Sequence, residues 1–174
     1  MMAAVVLERG ELTVVRPYLW EGPVMMSNRK TPPRISVDTE ICRGCDMCTL
    51  ACSLYHAGQC NPSLARLRVT KDIDRYRFAI LICQQCEDPV CMDACPVEGA
   101  MERNADGVVS IIEENCIACG SCMEECPYDA IAFHEGLNVY LKCDLCQGRD
   151  AGPMCVEMCP TGALAYDGSW RKEG

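Results

Sequence analysis

Residues 116–126 read CIACGSCMEEC, and a proline follows the last cysteine. The stretch holds four cysteines, with two, two and three residues between them. Thiols crowded in this way serve disulfides, a zinc ion or an iron–sulfur cluster. The pattern of cysteines in the rest of the chain decides which of these three chemistries organises it.

The same kind of grouping occurs four times in the 174 residues and uses sixteen of the seventeen cysteines. Pro96, Pro127 or Pro160 follows the last cysteine of three groups, whereas Ser53 follows that of the first. A fourfold repeat of one pattern indicates that the cysteines organise the fold. In chain order, set one is Cys42, Cys45, Cys48 and Cys52, set two is Cys83, Cys86, Cys91 and Cys95, set three is Cys116, Cys119, Cys122 and Cys126, and set four is Cys143, Cys146, Cys155 and Cys159.

The start of the chain argues against disulfides. Its apolar run, Met2–Leu7, is short for a secretory leader and has no basic flank. No apolar stretch reaches the roughly 20 residues that a membrane span requires. We therefore expect a reducing, cytoplasmic compartment, where structural disulfides are rare, and an odd cysteine count fits a closed disulfide set poorly.

The spacing separates the two metal chemistries. Zinc sites usually join two C-x2-C hooks that lie far apart in the chain. In the bacterial ferredoxin run C-x2-C-x2-C-x3-C-P, three cysteines hold one cluster and the fourth ligates the other cluster of a pair. The sequence therefore predicts four [4Fe–4S] clusters with sixteen cysteine ligands, and it leaves Cys60 without a metal-binding role.

Residues 34–167 resemble the four-cluster, ferredoxin-like electron-transfer subunits that accompany molybdenum- or tungsten-pterin oxidoreductases. The resemblance rests on all four sets, on CQQCEDPVCMDACP (83–96), and on KCDLC (142–146) with its long gap to CVEMCPTGAL (155–164). Within that group, CSLYHAGQCNPSLARLRV (52–69) is most like the small iron–sulfur subunit of tungsten-dependent aldehyde oxidoreductases.

The resemblance implies a chain that is not catalytic alone. It would relay electrons between a large molybdenum- or tungsten-pterin catalytic subunit and another redox partner, such as a flavin- or NAD-linked subunit. A free-standing polyferredoxin, which diffuses between enzymes, is the alternative. The sequence contains no Ser–His–Asp set, P-loop or G-x-G-x-x-G fingerprint, and its net charge of −9 argues against binding nucleic acid.

The fold class predicted is α+β, with two nested bacterial-ferredoxin-like modules that each bind two clusters. ISVD (35–38) and VVSII (108–112) are β-prone, and AMERNADGVVSI and AIAFHEGLNVYLK each predict a hairpin. DMCTLACSLYHAG and SCMEECPYDA predict short helices that carry third and fourth ligands. The expected divisions are an N-terminal extension (1–33), a four-cluster domain (34–168) with an inner module at about 83–139, and a tail (169–174).

The pairing of the sets follows from their connections. Residues 96–115 read as a strand–turn–strand link, which pairs set two with set three. Sets one and four then pair across the chain, which places ISVD near ALAY (163–166), and the family resemblance implies the same nesting. The competing arrangement pairs set three with set four, because residues 127–142 also read as a hairpin.

The nested arrangement assigns four ligands to each site. Three come from one set, and the fourth crosses from the paired set. The predicted sites are site 1 with Cys42, Cys45, Cys48 and Cys159; site 2 with Cys83, Cys86, Cys91 and Cys126; site 3 with Cys116, Cys119, Cys122 and Cys95; and site 4 with Cys143, Cys146, Cys155 and Cys52.

Other residues suggest contacts and cover. The N-terminal extension forms a hairpin around Arg9-Gly10 and continues with Tyr18 and Trp20, so it either packs on the core or docks onto a partner. A linear array with such an arm could also associate head to tail into a filament. Because four cysteines complete each site, His56 is expected to be a surface or capping residue. Tyr55, Tyr128 and Phe133 are expected to be apolar cover over the clusters.

Overall fold

The computed structural model describes residues 4–8, 11–15 and 32–168. In these residues, ten short strands form five two-stranded antiparallel sheets. The strands are β1 (Ala4–Glu8), β2 (Glu11–Val15), β3 (Ile35–Val37), β4 (Arg68–Asp72), β5 (Arg77–Leu81), β6 (Met101–Arg103), β7 (Val109–Ile111), β8 (Ile131–His134), β9 (Val139–Lys142) and β10 (Leu164–Tyr166). The helices are α1 (Met47–Ala57), α2 (Val90–Asp93), α3 (Ser121–Glu124) and α4 (Met154–Glu157), with 3₁₀ turns at Pro62–Leu64 and Glu113–Asn115.

Four of the sheets are local hairpins. The predicted hairpins β6–β7 and β8–β9 are confirmed, and β4–β5 is a further one that the alternation of the sequence did not reveal. Asn104 shapes the β6–β7 turn, because its side-chain oxygen accepts bonds from the backbone N–H groups of Asp106 and Val108, both at 2.9 Å. Strands β1 and β2 pair with Glu8 opposite Glu11, which confirms the predicted N-terminal hairpin. The segment that contains Tyr18 and Trp20, which is expected to pack on the core or to dock onto a partner, lies outside the described residues.

The fifth sheet joins the two ends of the cysteine-rich region. Strands β3 and β10 pair antiparallel, with Ile35 opposite Tyr166 and Val37 opposite Leu164. The backbone N–H of Asp38 extends the ladder by donating to the carbonyl of Ala163 at 2.8 Å. ISVD and ALAY therefore lie side by side, as expected, and sets one and four are brought together across the chain.

The length of each helix follows from the residue after the fourth cysteine. Where proline follows, the preceding residue is disfavoured in the helical region, and α3 ends two residues before Cys126. In set one, Ser53 replaces the proline, and α1 runs for 11 residues through Cys52. The expectation that the short helix of set three carries its fourth ligand is therefore wrong: α3 carries Cys122, and Cys126 follows it.

The buried side chains form two groups that include the cysteines. The larger group combines cysteines of sets one, two and four with apolar residues such as Ile35, Phe78 and Leu164. The smaller group packs Cys91 and Cys122 against β7, β8 and β9. No helix in the described ranges is long and apolar enough to cross a membrane.

Candidate metal centres

The loop of each set contains the same backbone turn. The residue before the second cysteine has a positive φ in all four sets, although only one of the four residues is glycine. Such a conformation costs about 1–2 kcal/mol in a residue with a side chain, and it persists where the surroundings impose it, often at functional sites. These residues are Gly44 (φ 59), Gln85 (φ 47), Ala118 (φ 54) and Leu145 (φ 60).

The turn directs backbone N–H groups toward sulfur. The N–H of Gln85 lies 3.4 Å from Cys83 Sγ, and the N–H of Leu145 lies 3.4 Å from Cys143 Sγ. Such donors stabilise a thiolate, which is the form of cysteine that binds metal. The positive-φ turn thus recurs in all four sets, and in sets two and four it brings a backbone N–H to the sulfur of the first cysteine.

Two of the predicted foursomes surround apolar cavities. One cavity, about 340 Å³ including the part open to solvent, is lined by Cys95, Cys116, Cys119 and Cys122. The other, about 370 Å³ on the same measure, is lined by Cys83, Cys86, Cys91 and Cys126. Each cavity takes its cysteines from both set two and set three. The structure therefore brings together the residues predicted for sites 2 and 3.

Three of the thiols predicted for site 1, those of Cys45, Cys48 and Cys159, act on one another near the first turn of α1. Burial raises the pKa of the Cys48 thiol to about 12, and the thiols of Cys45 and Cys159 act on it in the same direction. Cys42 is buried in the same core. Because α1 packs against α4, Cys48 from set one and Cys159 from set four become neighbours.

The thiols predicted for site 4 are the most deeply buried. Burial raises the pKa of the Cys52 thiol to about 11, and the thiol of Cys146 adds to the rise. Burial also raises the pKa of Cys143 well above its ordinary value, with contributions from Cys155 and Cys52. Cys52 of set one therefore lies among the three cysteines of set four.

His56 has a different environment from the one expected. Its side chain is only 11% exposed, and its Nε2 lies 3.4 Å from Asp144 Oδ1 and 3.8 Å from Cys146 Sγ. Arg66 donates to the other oxygen of Asp144 at 2.8 Å. The prediction of a surface or capping histidine is therefore wrong, because the loop of set four folds back over the last turn of α1.

Some residues around the cavities agree with the sequence prediction, and others differ from it. Tyr128 lines the cavity of site 2, but Phe133 is 38% exposed, and its neighbour Tyr140 lines the cavity of site 3 instead. Gln85 and Lys142 are buried beside site 2, although both residue types usually lie at the surface. The KCDLC motif contained the signal for Lys142, because it places a lysine directly before a predicted ligand.

The donor sets fit iron–sulfur clusters. All seventeen cysteines lie in the described ranges and are free thiols, and Cys60 is exposed beyond the end of α1. Within these ranges, no three His, Cys, Asp or Glu side chains converge closely enough to hold a single ion. At sites 2 and 3 the thiols instead lie four at a time around an apolar hollow. This arrangement suits a polynuclear core, in which each iron takes one thiolate.

Comparison with known proteins places these features in a family. Residues 75–168 match the family described as "4Fe-4S dicluster domain". The chain is 36% identical to the electron transport protein HydN of Escherichia coli (strain K12), over 75% of this chain and 85% of HydN. It is 35% identical to the iron–sulfur subunit of the nitrate-inducible formate dehydrogenase of the same organism, over 75% of this chain and 52% of that subunit.

The chain spans about half the length of the formate dehydrogenase subunits that it matches. Among solved structures, the active site complex BamBC of benzoyl coenzyme A reductase, with benzoyl-CoA, aligns with a TM-score of 0.47 and 28% identity, over 77% of this chain and 78% of that chain. From the family match and the identity to HydN, the chain belongs to the ferredoxin-like family of 4Fe-4S dicluster domain proteins.

Proposed function

We propose that this chain is an electron-transfer iron–sulfur subunit that holds four [4Fe–4S] clusters in two nested modules. The observation that carries the proposal is that cysteines from two different sets lie together in each half of the domain. Sets two and three share the two cavities, and sets one and four share the thiol neighbours at α1 and α4. The domain would comprise residues 34–168, with the inner module at about 83–139.

The four sites follow one another in space in the order 1, 4, 2, 3. Besides burial, which is the largest cause, the thiol of Cys48 in site 1 raises the pKa of Cys155 in site 4. The thiol of Cys83 in site 2 does the same to Cys143 in site 4. Sites 2 and 3 meet through Cys91, which raises the pKa of Cys122. Neighbouring thiols thus connect all four sites into one line.

The ends of this line reach the surface. Cys45 of site 1 and Cys119 of site 3 are exposed, whereas the cysteines of site 4 are all buried. Bound clusters supply one-electron carriers, with potentials set by net charge, hydrogen bonds and exposure. The protein contributes the thiolates, the strained loops that position them and the apolar walls that exclude water. Redox partners would approach sites 1 and 3.

Iron analysis and spectroscopy test the count of clusters. Anaerobically reconstituted protein should hold about 16 iron atoms per chain, four for each [4Fe–4S] core. Cys159→Ser should disturb site 1, and Cys126→Ser should disturb site 2, each with loss of one electron paramagnetic resonance signal. A wild-type content near 8 iron atoms, or two signals lost together in Cys159→Ser, would contradict the four-site arrangement.

The partner we favour is a large molybdenum- or tungsten-pterin subunit, specifically that of a tungsten-dependent aldehyde oxidoreductase. The support is the resemblance of residues 52–69 and the identity to a subunit of a formate dehydrogenase. Electrons would pass onward to a flavin- or NAD-linked subunit. A free-standing polyferredoxin is the second candidate, because HydN, to which the chain is 36% identical, is described as an electron transport protein.

Anaerobic affinity purification from the native cells separates the two candidates. A stoichiometric large subunit that contains tungsten supports the favoured partner, and molybdenum in its place corrects the metal. A brown chain without any partner supports the polyferredoxin. Light scattering on the purified complex tests the predicted head-to-tail filament, which requires more than one copy of this chain per particle.

A further inference from the structure

Lys142 is a buried cation beside site 2. Its side chain is only 3% exposed at the end of β9, and it lines the cavity formed by Cys83, Cys86, Cys91 and Cys126. Lysine is almost never fully buried unless it is paired. An explanation is therefore required for a charge at this position.

The neighbours of the Lys142 ammonium are oxygens that can only accept. Its Nζ donates to the backbone carbonyl of Val109 and lies 3.5 Å from Gln85 Oε1 and 3.4 Å from the carbonyl of Cys143. An ammonium has three donors and no acceptor, so this environment matches the charged form. Gln85 is itself fixed by a bond from its Nε2 to the carbonyl of Cys143 at 2.7 Å and by one from the N–H of Val109 at 2.9 Å.

No carboxylate within residues 32–168 forms an ion pair with Lys142. The cations near site 4 differ in this respect, because Arg66 pairs with Asp144, and Arg149 pairs with Glu157. Carbonyl and amide dipoles solvate a cation but carry no net charge. The negative charge that balances Lys142 must come from the cavity that it lines.

We propose that Lys142 is the counter-cation of site 2 and makes it the most readily reduced of the four sites. An electron that enters the chain would then reside on site 2, which lies inside the line of sites and not at either end. The inference relies on the proposed ligand set of site 2. Four thiolates make the filled site an anion, and one-electron reduction adds a further negative charge. A buried cation at close range favours the reduced form, because the surrounding low dielectric screens the attraction weakly.

The test is a potentiometric titration of the reconstituted full-length chain, followed by electron paramagnetic resonance. Lys142→Gln keeps a hydrogen-bond donor for the surrounding oxygens but removes the charge, whereas Lys142→Arg keeps the charge. Lys142→Gln should shift the reduction equilibrium of site 2 at least tenfold toward the oxidised form, which is about 59 mV for one electron. Lys142→Arg should shift it less than threefold.

Lys71→Gln is the matched control, because it makes the same change in net charge at a side chain that is 35% exposed and already paired with Asp46. It should leave the potential of site 2 within twofold. An unchanged potential in Lys142→Gln with full iron content overturns the inference and leaves Lys142 a structural role. A different result would contradict the proposed function itself: the wild-type protein would lack the cluster signal that Cys126→Ser is expected to remove.

The wild-type protein gives a second measurement that does not depend on how the Lys142 variants fold. The signal assigned to site 2 through Cys126→Ser should be reduced first as the potential is lowered. Another site reduced before it would overturn the inference. The comparison of Lys142→Gln with Lys142→Arg then separates the charge of Lys142 from the hydrogen bonds and exposure that also set cluster potentials.

Discussion

The outer sets of cysteines, one and four, are more deeply buried than the inner sets, two and three. Six of the eight outer cysteines are buried, against three of the eight inner ones. The outer thiols share the larger core, which includes Phe78 of the β4–β5 hairpin. The inner thiols surround open apolar cavities between short hairpins. The two halves use one sequence pattern but differ in their access to solvent.

The two halves also differ in the sequence separation of the segments that pair within them. The inner sets are joined by a connection of 20 residues, 96–115, whereas β3 and β10 pair residues 127 to 131 positions apart. Closing a longer loop costs more conformational entropy, although the cost grows slowly with length. The outer half therefore depends on the whole chain, whereas the inner half has most of its contacts nearby.

Removal of residues 143–174 should have the largest effect. It deletes all of set four, so sites 1 and 4 lose ligands, while the eight cysteines of sets two and three remain. Iron content should fall from about 16 to about 8 atoms per chain, at four per cluster. Iron analysis and electron paramagnetic resonance of the reconstituted protein measure the result.

Removal of residues 169–174 alone is the control for this truncation and should leave the iron content unchanged. If sets three and four were paired instead, the larger truncation would also disturb the clusters of set three. Iron content would again be near 8 atoms, since sets one and two would keep their two clusters, but one surviving signal would then be lost on adding Cys52→Ser and none on adding Cys126→Ser. That outcome would refute the division into outer and inner halves.

Gly44→Ala should selectively weaken the outer half. A Cβ at this position would lie 2.4 Å from Phe78 Cδ1, in a backbone conformation with φ +59. Overpacking and left-handed strain together predict a loss of roughly 2–4 kcal/mol. The rate of cluster loss from site 1 on heating should rise, as measured by absorbance under anaerobic conditions.

Gly58→Ala provides the matched control for Gly44→Ala. Gly58 has a similar φ of +68, but a Cβ there would meet nothing within 4 Å. Only the strain of roughly 1–2 kcal/mol remains. Equal effects of the two substitutions would show that contact with Phe78 does not matter at the loop of set one.

Ala118→Gly should slightly stabilise the inner half. Ala118 occupies the same place in set three as Gly44 in set one, with φ 54. Glycine would remove about 1–2 kcal/mol of strain from the folded state. It would also raise the conformational entropy of the unfolded chain, which offsets about 0.4–1 kcal/mol of that gain. A net gain of at most about 1 kcal/mol should appear as slower loss of the cluster at site 3, and a marked acceleration would contradict the strain argument.

Cys60→Ser should have the smallest effect of all. Cys60 is exposed and belongs to none of the four foursomes, so iron content should stay near 16 atoms per chain. Cys52→Ser is the control in the same segment and should disturb site 4. Loss of iron in Cys60→Ser would mean that the ligand set of the outer half has been misassigned.

Much of the fold follows from local sequence. The positions of β6, β7, β8 and β9 follow from short alternating runs around turn residues, since hairpins are stabilised by neighbours in the chain. The long helix α1 follows from Ser53, which stands where the other sets have a proline. The environment of His56 was not predictable in this way. Asp144 and Cys146 reach it only because β3 and β10 close the outer half.

The sequence alone determined the chemistry of this protein, because the ligand spacing of an iron–sulfur cluster is local and is repeated four times along the chain. It also predicted, with alternatives, which sets pair. Only the tertiary structure decided which thiols are neighbours, which of them reach solvent, and where an uncompensated charge is buried. Lys142 is the clearest case, since its charge is evident from the sequence but its environment is made by β7, the loop of Gln85 and the carbonyl of Cys143.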